Sequence, residues 1–157
     1  MKALFTSTLI LGLFVALIAG GFVIHSSGLI SKEKHGKVIV KGQEFNVEIA
    51  DNPTARSRGL SGRINLETNG GMIFLFRGAG YQSFWMKGMR IPIDIIWIKG
   101  NRIVGFEKNV QPEPGVKTAN LKRYVSPEAV EKVLEVSAGT AERLGIQVGD
   151  EVSVSYN

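Results

Sequence analysis

The run Ile91-Pro92-Ile93-Asp94-Ile95-Ile96-Trp97-Ile98 limits what this chain can fold into more than any other stretch. Its β-branched residues read as a strongly apolar strand. One acid, Asp94, sits inside it, and a charge there is costly unless it is paired or hydrogen-bonded. Around this run, Tyr81 to Glu107 reads as one unit: an aromatic strand, a short basic turn with Gly88 and Pro92, the apolar strand, a tight turn at Lys99-Gly100-Asn101 and a returning strand. The unit holds both tryptophans, Trp85 and Trp97.

The flanks repeat the β rhythm. Lys37 to Ala50 alternates apolar and polar around Lys41-Gly42-Gln43, a hairpin signal that puts Val38, Val40, Phe45, Val47 and Ile49 on one buried face. Asp51 or Asn52 caps a short helix with Pro53 in its first turn and Gly59 at its stop. Residues 61–70 are loop-like, Gly71 to Phe76 is a buried strand, and Arg77-Gly78-Ala79-Gly80 is a turn. Asn109 to Asn120, with Pro112, Pro114 and Gly115, is a long loop. The next segment sends conflicting signals. Ser126-Pro127-Glu128 opens like a helix, while Val130 to Val136 is β-branched; a turn and then a strand from about Lys132 to Ser137 is expected. Ser137 to Leu144 is a short helix stopped by Gly145, and Val152 to Ser155 is the last strand. About seven strands and two short helices predict a mainly β domain on the α+β borderline, barrel-like or sandwich-like.

Leu4 to Ile24 is 21 residues without a charge, enough to span about 30 Å as a helix. The run is longer than the apolar part of a signal peptide and lacks a good small-x-small site after it. Residues 4–24 are therefore read as a transmembrane anchor in the lipid bilayer, with 1–3 before it, 25–36 as a polar stalk and 37–157 as the globular domain. The expected placement is a single-pass protein of the cell membrane with its domain outside the cytoplasm, or secreted if the segment is cleaved. A count of lysines alone would turn the domain inward; the basic start of a short N-terminal anchor favours export. The net charge of +5 is concentrated at this segment. From Val38 onward 15 basic residues face 13 acidic ones, so no nucleic-acid partner is expected.

The chain lacks cysteine, which excludes disulfides, thiol nucleophiles and zinc-thiolate sites. Its only histidines, His25 and His35, lie outside the globular domain on this reading, so histidine general bases and histidine-zinc sites have no residues to use. No metal site and no cofactor are expected. Catalysis would have to use carboxylates, lysine, serine or tyrosine. Asp94 is the candidate catalytic residue, as an acid or base in an apolar surround. The same residue also reads as a structural acid, bonded to turn amides or paired with Arg58 or Lys87. Trp85, Trp97, Tyr81 and Phe84 read as core or as a stacking platform for a sugar. Met72, Met86 and Met89 read as core filling ahead of a soft copper site. Arg56 and Arg58 suit an anion, a lipid headgroup, a solvated helix face or a clasp on Asp94.

Several phrases occur together in a fixed order. They are Arg56-Ser57-Arg58-Gly59-Leu60, Gly71-Met72-Ile73-Phe74, Ser83-Phe84-Trp85-Met86-Lys87, Ile91-Pro92-Ile93-Asp94-Ile95, and Leu134-Glu135-Val136-Ser137-Ala138-Gly139 with Gly145-Ile146-Gln147-Val148-Gly149-Asp150. In this the chain resembles the membrane-associated family known as domain of unknown function 192, over about residues 38–154. That family usually carries Met after Gly-Leu and Asn-Thr after Met-Lys, where this chain has Ser61 and Gly88-Met89. The resemblance implies a compact mainly β fold and supplies no activity. Three functions stay open. The first is a membrane-anchored binding or accessory module for a small-molecule or glycan ligand, at a cleft formed by Arg58, Trp85, Met86, Lys87 and Asp94. The second is a carboxylate-dependent hydrolase or lyase on envelope polymers. The third is a purely structural or interaction protein. The sparse catalytic equipment places binding ahead of enzyme chemistry.

Overall fold

The computed structural model describes residues 33–156. The expected anchor at 4–24 and most of the stalk lie outside them. Among the described residues no helix is long and apolar enough to cross a membrane.

The hairpin forms where alternation puts it. Strands β1 (His35–Val40) and β2 (Gln43–Ala50) pair antiparallel, with Val40 opposite Gln43. The two-residue turn holds Lys41 at φ 52° and Gly42 at φ 77°. Positive φ at both positions matches the twist of the flanking strands. Val38, Val40, Phe45, Val47 and Ile49 are all buried together. The first strand starts two residues before the expected Lys37. Helix α1 (Pro53–Arg58) follows, with the Asn52 side chain accepting from the Ala55 N–H and Gly59 closing the helix at φ 51°.

Strand β3 (Gly70–Gly80) is longer than expected, because Arg77 to Gly80 continues it through a register shift after Leu75 and is not a turn. Glycines allow that irregular, solvent-exposed stretch to stay extended. The aromatic strand shrinks to β4 (Ser83–Phe84), which pairs with β7 (Tyr124–Val125) in a separate small ribbon. Strand β5 (Ile93–Lys99) turns at Gly100-Asn101 into β6 (Arg102–Val110). Strand β8 (Val130–Ser137) begins two residues before the expected Lys132. Its β-branched residues win over the helix signals, and Ser126 serves a loop instead: its hydroxyl donates to the Glu128 carbonyl and accepts from the Gln82 N–H. Helix α2 (Thr140–Arg143) and strand β9 (Val152–Tyr156) complete the chain.

One seven-stranded sheet has the order β6-β5-β8-β3-β2-β1-β9. It curls until its two edges touch at one corner. There Arg102 bridges Glu151, and the Val152 N–H donates to the Asn101 carbonyl at 2.9 Å. The curl leaves one barrel-like sheet and removes the sandwich alternative. The inner face packs Val38, Phe45, Ile73, Ile96, Leu134 and Ile146. The central strands β5, β8 and β3 are also covered outside, where Phe74, Trp97 and Val133 pack under Leu60, Met86 and Tyr124. Two-sided burial explains the near-continuous apolar runs in β5 and β8.

Candidate functional site

Asp94 is fully buried, and strand alternation fixes where it points. Ile93, Ile95 and Trp97 join the outer cluster, while Ile96 and Ile98 join the inner one. Asp94 therefore shares the inner face with Ile96 and Ile98. Its carboxylate accepts three backbone N–H groups: Asn109 at 2.7 Å, Gly139 at 3.2 Å and Ala141 at 2.7 Å. It ties the end of β6 and the entry of α2 to the middle of the sheet. Asn109 presents its N–H from a positive φ of 51°, a region that asparagine tolerates. This is the turn-amide form of the structural reading. The alternative partners lie elsewhere: Arg58 pairs with Glu33 at 3.5 Å, and the Lys87 ammonium stands 5.5 Å from the centre of the Trp85 ring.

The cleft lies on the other face. A cavity of about 250 Å³ opens over the central strands, beside α1 and the segment after β4. The apolar part of its walls comes from Leu60, Phe74, Phe76, Phe84 and Met89. Phe84 stands edge-on to Phe74 at 4.8 Å and to Trp97 at 5.5 Å, which fixes its ring. Arg56, Arg58, Lys87 and Arg123 line the same cleft. The Arg123 guanidinium stacks 3.8 Å from the centre of the Trp85 ring. Arg56 donates to the Leu75 carbonyl at 3.0 Å and lies over Phe76.

Among the described residues, the one acid lining this cleft is Glu135. It sits on β8 between Met72 of β3 and Ile95 of β5 in the ladder. Only 5% of its surface is exposed, and its Oε2 has no hydrogen-bond partner among the described residues. Burial pushes its carboxyl up to about 8. It is therefore mostly protonated at neutral pH, with an O–H to donate.

Of the five residues expected to form a site, the fold brings three together. Arg58, Trp85 and Lys87 line the cleft. Met86 is buried in the outer cluster with Met72, and Met89 packs against that cluster while reaching the cleft. Asp94 does not line the cleft, because alternation turns it inward. Its ladder partner is Val136, the residue after Glu135. Sequence reasoning missed Glu135 although it carries the same signal as Asp94, an acid inside the apolar run Val133-Leu134-Glu135-Val136.

Comparison with known proteins agrees with this architecture. A crystal structure from Novosphingobium aromaticivorans DSM 12444, of a protein of unknown function, is 30% identical with a TM-score of 0.71. The match covers 79% of this chain and 88% of that one. A crystal structure from Sinorhizobium meliloti 1021, described as a candidate transcription regulator, is 28% identical with a TM-score of 0.67, covering 78% and 93%. No curated protein matches the chain. The family model for domain of unknown function 192, described as an uncharacterised ACR, matches residues 36–154.

Proposed function

This chain belongs to the family domain of unknown function 192, and from that footing we propose that it is a small-ligand-binding module whose site is the cleft beneath Trp85. One observation carries the reading: a buried carboxyl with an unpartnered Oε2 forms part of a cavity that combines apolar walls with four cationic side chains. An unsatisfied buried polar atom costs free energy in the empty protein. A ligand that bonds it recovers that cost.

The two competing functions draw less support. Carboxylate-dependent glycoside hydrolysis uses two acids about the scissile bond, and among the described residues Glu135 is the single acid in the cleft lining. A purely structural role would leave Trp85 and Lys87 sealed, yet Lys87 is exposed, Trp85 is half-buried, and a cleft adjoins both.

The reading is tested by thermal shift of the full chain against sugars, carboxylates, phosphates and lipid headgroups. A binder raises the melting temperature, and Glu135→Ala weakens that rise. Silence across the set would count against a binding module.

The proposal extends to placement. Residues 4–24 hold the protein in a bilayer and the domain stands outside the cytoplasm, supported by the uncharged run and by the basic start of this short N-terminal segment. The absence of cysteine makes this testable. Val148 is 65% exposed, so Val148→Cys gives a single surface thiol. A membrane-impermeant maleimide labels it in intact cells if the domain faces out. Labelling only after lysis places it inside.

A further inference from the structure

The chemistry of the cleft lining narrows the ligand class, an inference that rests on the reading of the cleft as a binding site. Lys87 and Arg123 both converge on the Trp85 ring, at 5.5 and 3.8 Å from its centre. Neither forms an ion pair among the described residues. Two cations gathered on one ring repel each other, and an anion between them relieves that repulsion. Stacking occupies the face of the guanidinium and leaves its N–H groups directed outward from the edge. The partner of Arg58, Glu33, is exposed and 3.5 Å away. Such a pair is weak and yields to a competing anion.

Glu135 brings different chemistry to the same cleft. Glu135 is a neutral carboxyl at pH 7, so it does not cancel the positive charge of the lining. Its buried Oε2 asks for a hydrogen-bonding group on the ligand. The rest of the cleft is walled largely by Leu60, Phe74, Phe76, Phe84 and Met89 and is small. About 250 Å³ falls just below the usual span of small-molecule sites, roughly 300 to 1,000 Å³, so only a small ligand fits.

We infer that the cleft takes a small organic anion: a carboxylate or phosphate ester on an apolar body of about one ring, carrying a hydroxyl or carbonyl at its far end. Arg58, Lys87 and Arg123 hold the charge. Phe74 and Phe84 flank the body, and Glu135 hydrogen-bonds the far group. Ionising Glu135 would set a negative charge against this ligand. The other charged groups lining the cleft are Arg56 and Arg58 from α1, Lys87 after β4 and Arg123 before β7, all cationic. Affinity therefore falls as pH rises through about 8.

The experiment uses the full chain in mild detergent, with ¹⁵N-labelled tryptophan and Trp85→Phe to assign the two indole signals. The probes are 4-(hydroxymethyl)benzoate, 4-(hydroxymethyl)phenyl phosphate, the methyl ester of the benzoate, and glucose. At least one anion is expected to shift the Trp85 signal saturably and to bind tenfold or more tighter than the ester. The stronger anion identifies carboxylate or phosphate as the preferred group. The double change Lys87→Gln and Arg123→Gln weakens that binding tenfold or more, whereas Lys108→Gln, away from the cleft, does not. Affinity drops between pH 7 and pH 9, and Glu135→Gln removes that dependence. If the ester or glucose binds as tightly as the anions, the anion inference is overturned while the cleft stands as a binding site. If no probe moves the Trp85 signal, both fail.

Discussion

Asp94 and Glu135 are two buried acids on neighbouring strands, one register step and one sheet face apart. Asp94 is saturated by three amides, so removing it strands those donors in the core. Asp94→Ala is expected to cost roughly 3–5 kcal/mol, read from urea unfolding, since bonds to a charged group contribute about 1.5–3 kcal/mol each and do not add fully. Glu135 behaves in the opposite way. Its ordinary value of 4.5 applies in the unfolded chain, and burial raises it to about 8 in the folded one. Between those pH values the folded chain keeps a proton that the unfolded chain gives up. Stability therefore falls as pH rises from about 4.5 to about 8, by about 1.4 kcal/mol per unit at most, and levels above that. Glu135→Gln should flatten this slope, so the variant gains on the wild type as pH rises. Urea midpoints at pH 5 and pH 8 check the sign; equal slopes in both proteins would contradict the burial of a neutral carboxyl. Gly88 shows a third residue-scale constraint. Its φ of 67° suits glycine or asparagine, and a Cβ there would clash with the Ser61 hydroxyl. Two of the three departures from the usual family pattern, Ser61 and Gly88 but not Met89, thus stand in contact range of each other.

At the scale of elements, α1 matters because it carries Arg56 and Arg58 to the cleft. It is six residues long and buries none of them, so its ends hold it in place. Asn52→Ala removes the cap and should cost about 1 kcal/mol. Gly59→Ala should cost about 1 kcal/mol as well, because φ 51° burdens any residue with a Cβ. Thermal melts of both variants check this. Both element ends were legible in the sequence, since Asn-Pro at a helix start and glycine at its stop have local causes. The cleft wall after β4 was not. Phe84 pairs with Tyr124, forty residues away, in a ribbon too short to announce itself by alternation. Strand β8 was partly legible: its β-branched residues marked it, while its start at Val130 depends on pairing with Gly80 across a register shift.

Over the whole molecule, closure of the curled sheet depends on one corner. Exposed Arg102 and Glu151 meet there at 3.0 Å, beside backbone bonds from Ile103 to Asp150 and from Val152 to Asn101. The exposed ion pair adds little, so Arg102→Ala is expected to change stability by under about 1 kcal/mol. Buried Ile103 at the same corner belongs to the inner core, and Ile103→Ala should cost about 2–5 kcal/mol. If the two variants unfold at the same urea concentration, the ion pair contributes as much to closure as the core residue does.

The sequence alone determined what depends on neighbours along the chain. Alternation set the faces of β1 and β2, capping residues set α1, and the absence of cysteine removed whole classes of chemistry. The apolar run around Asp94 also marked a buried acid that had to be satisfied. Tertiary structure decided which face each acid occupies and what meets it there. A strand sends successive side chains to opposite faces, so Asp94 and Glu135 look alike in one dimension. Only the sheet order, with β8 between β5 and β3, separates them. It turns Asp94 inward onto three amides and leaves Glu135 facing the cleft with Arg58, Trp85 and Lys87.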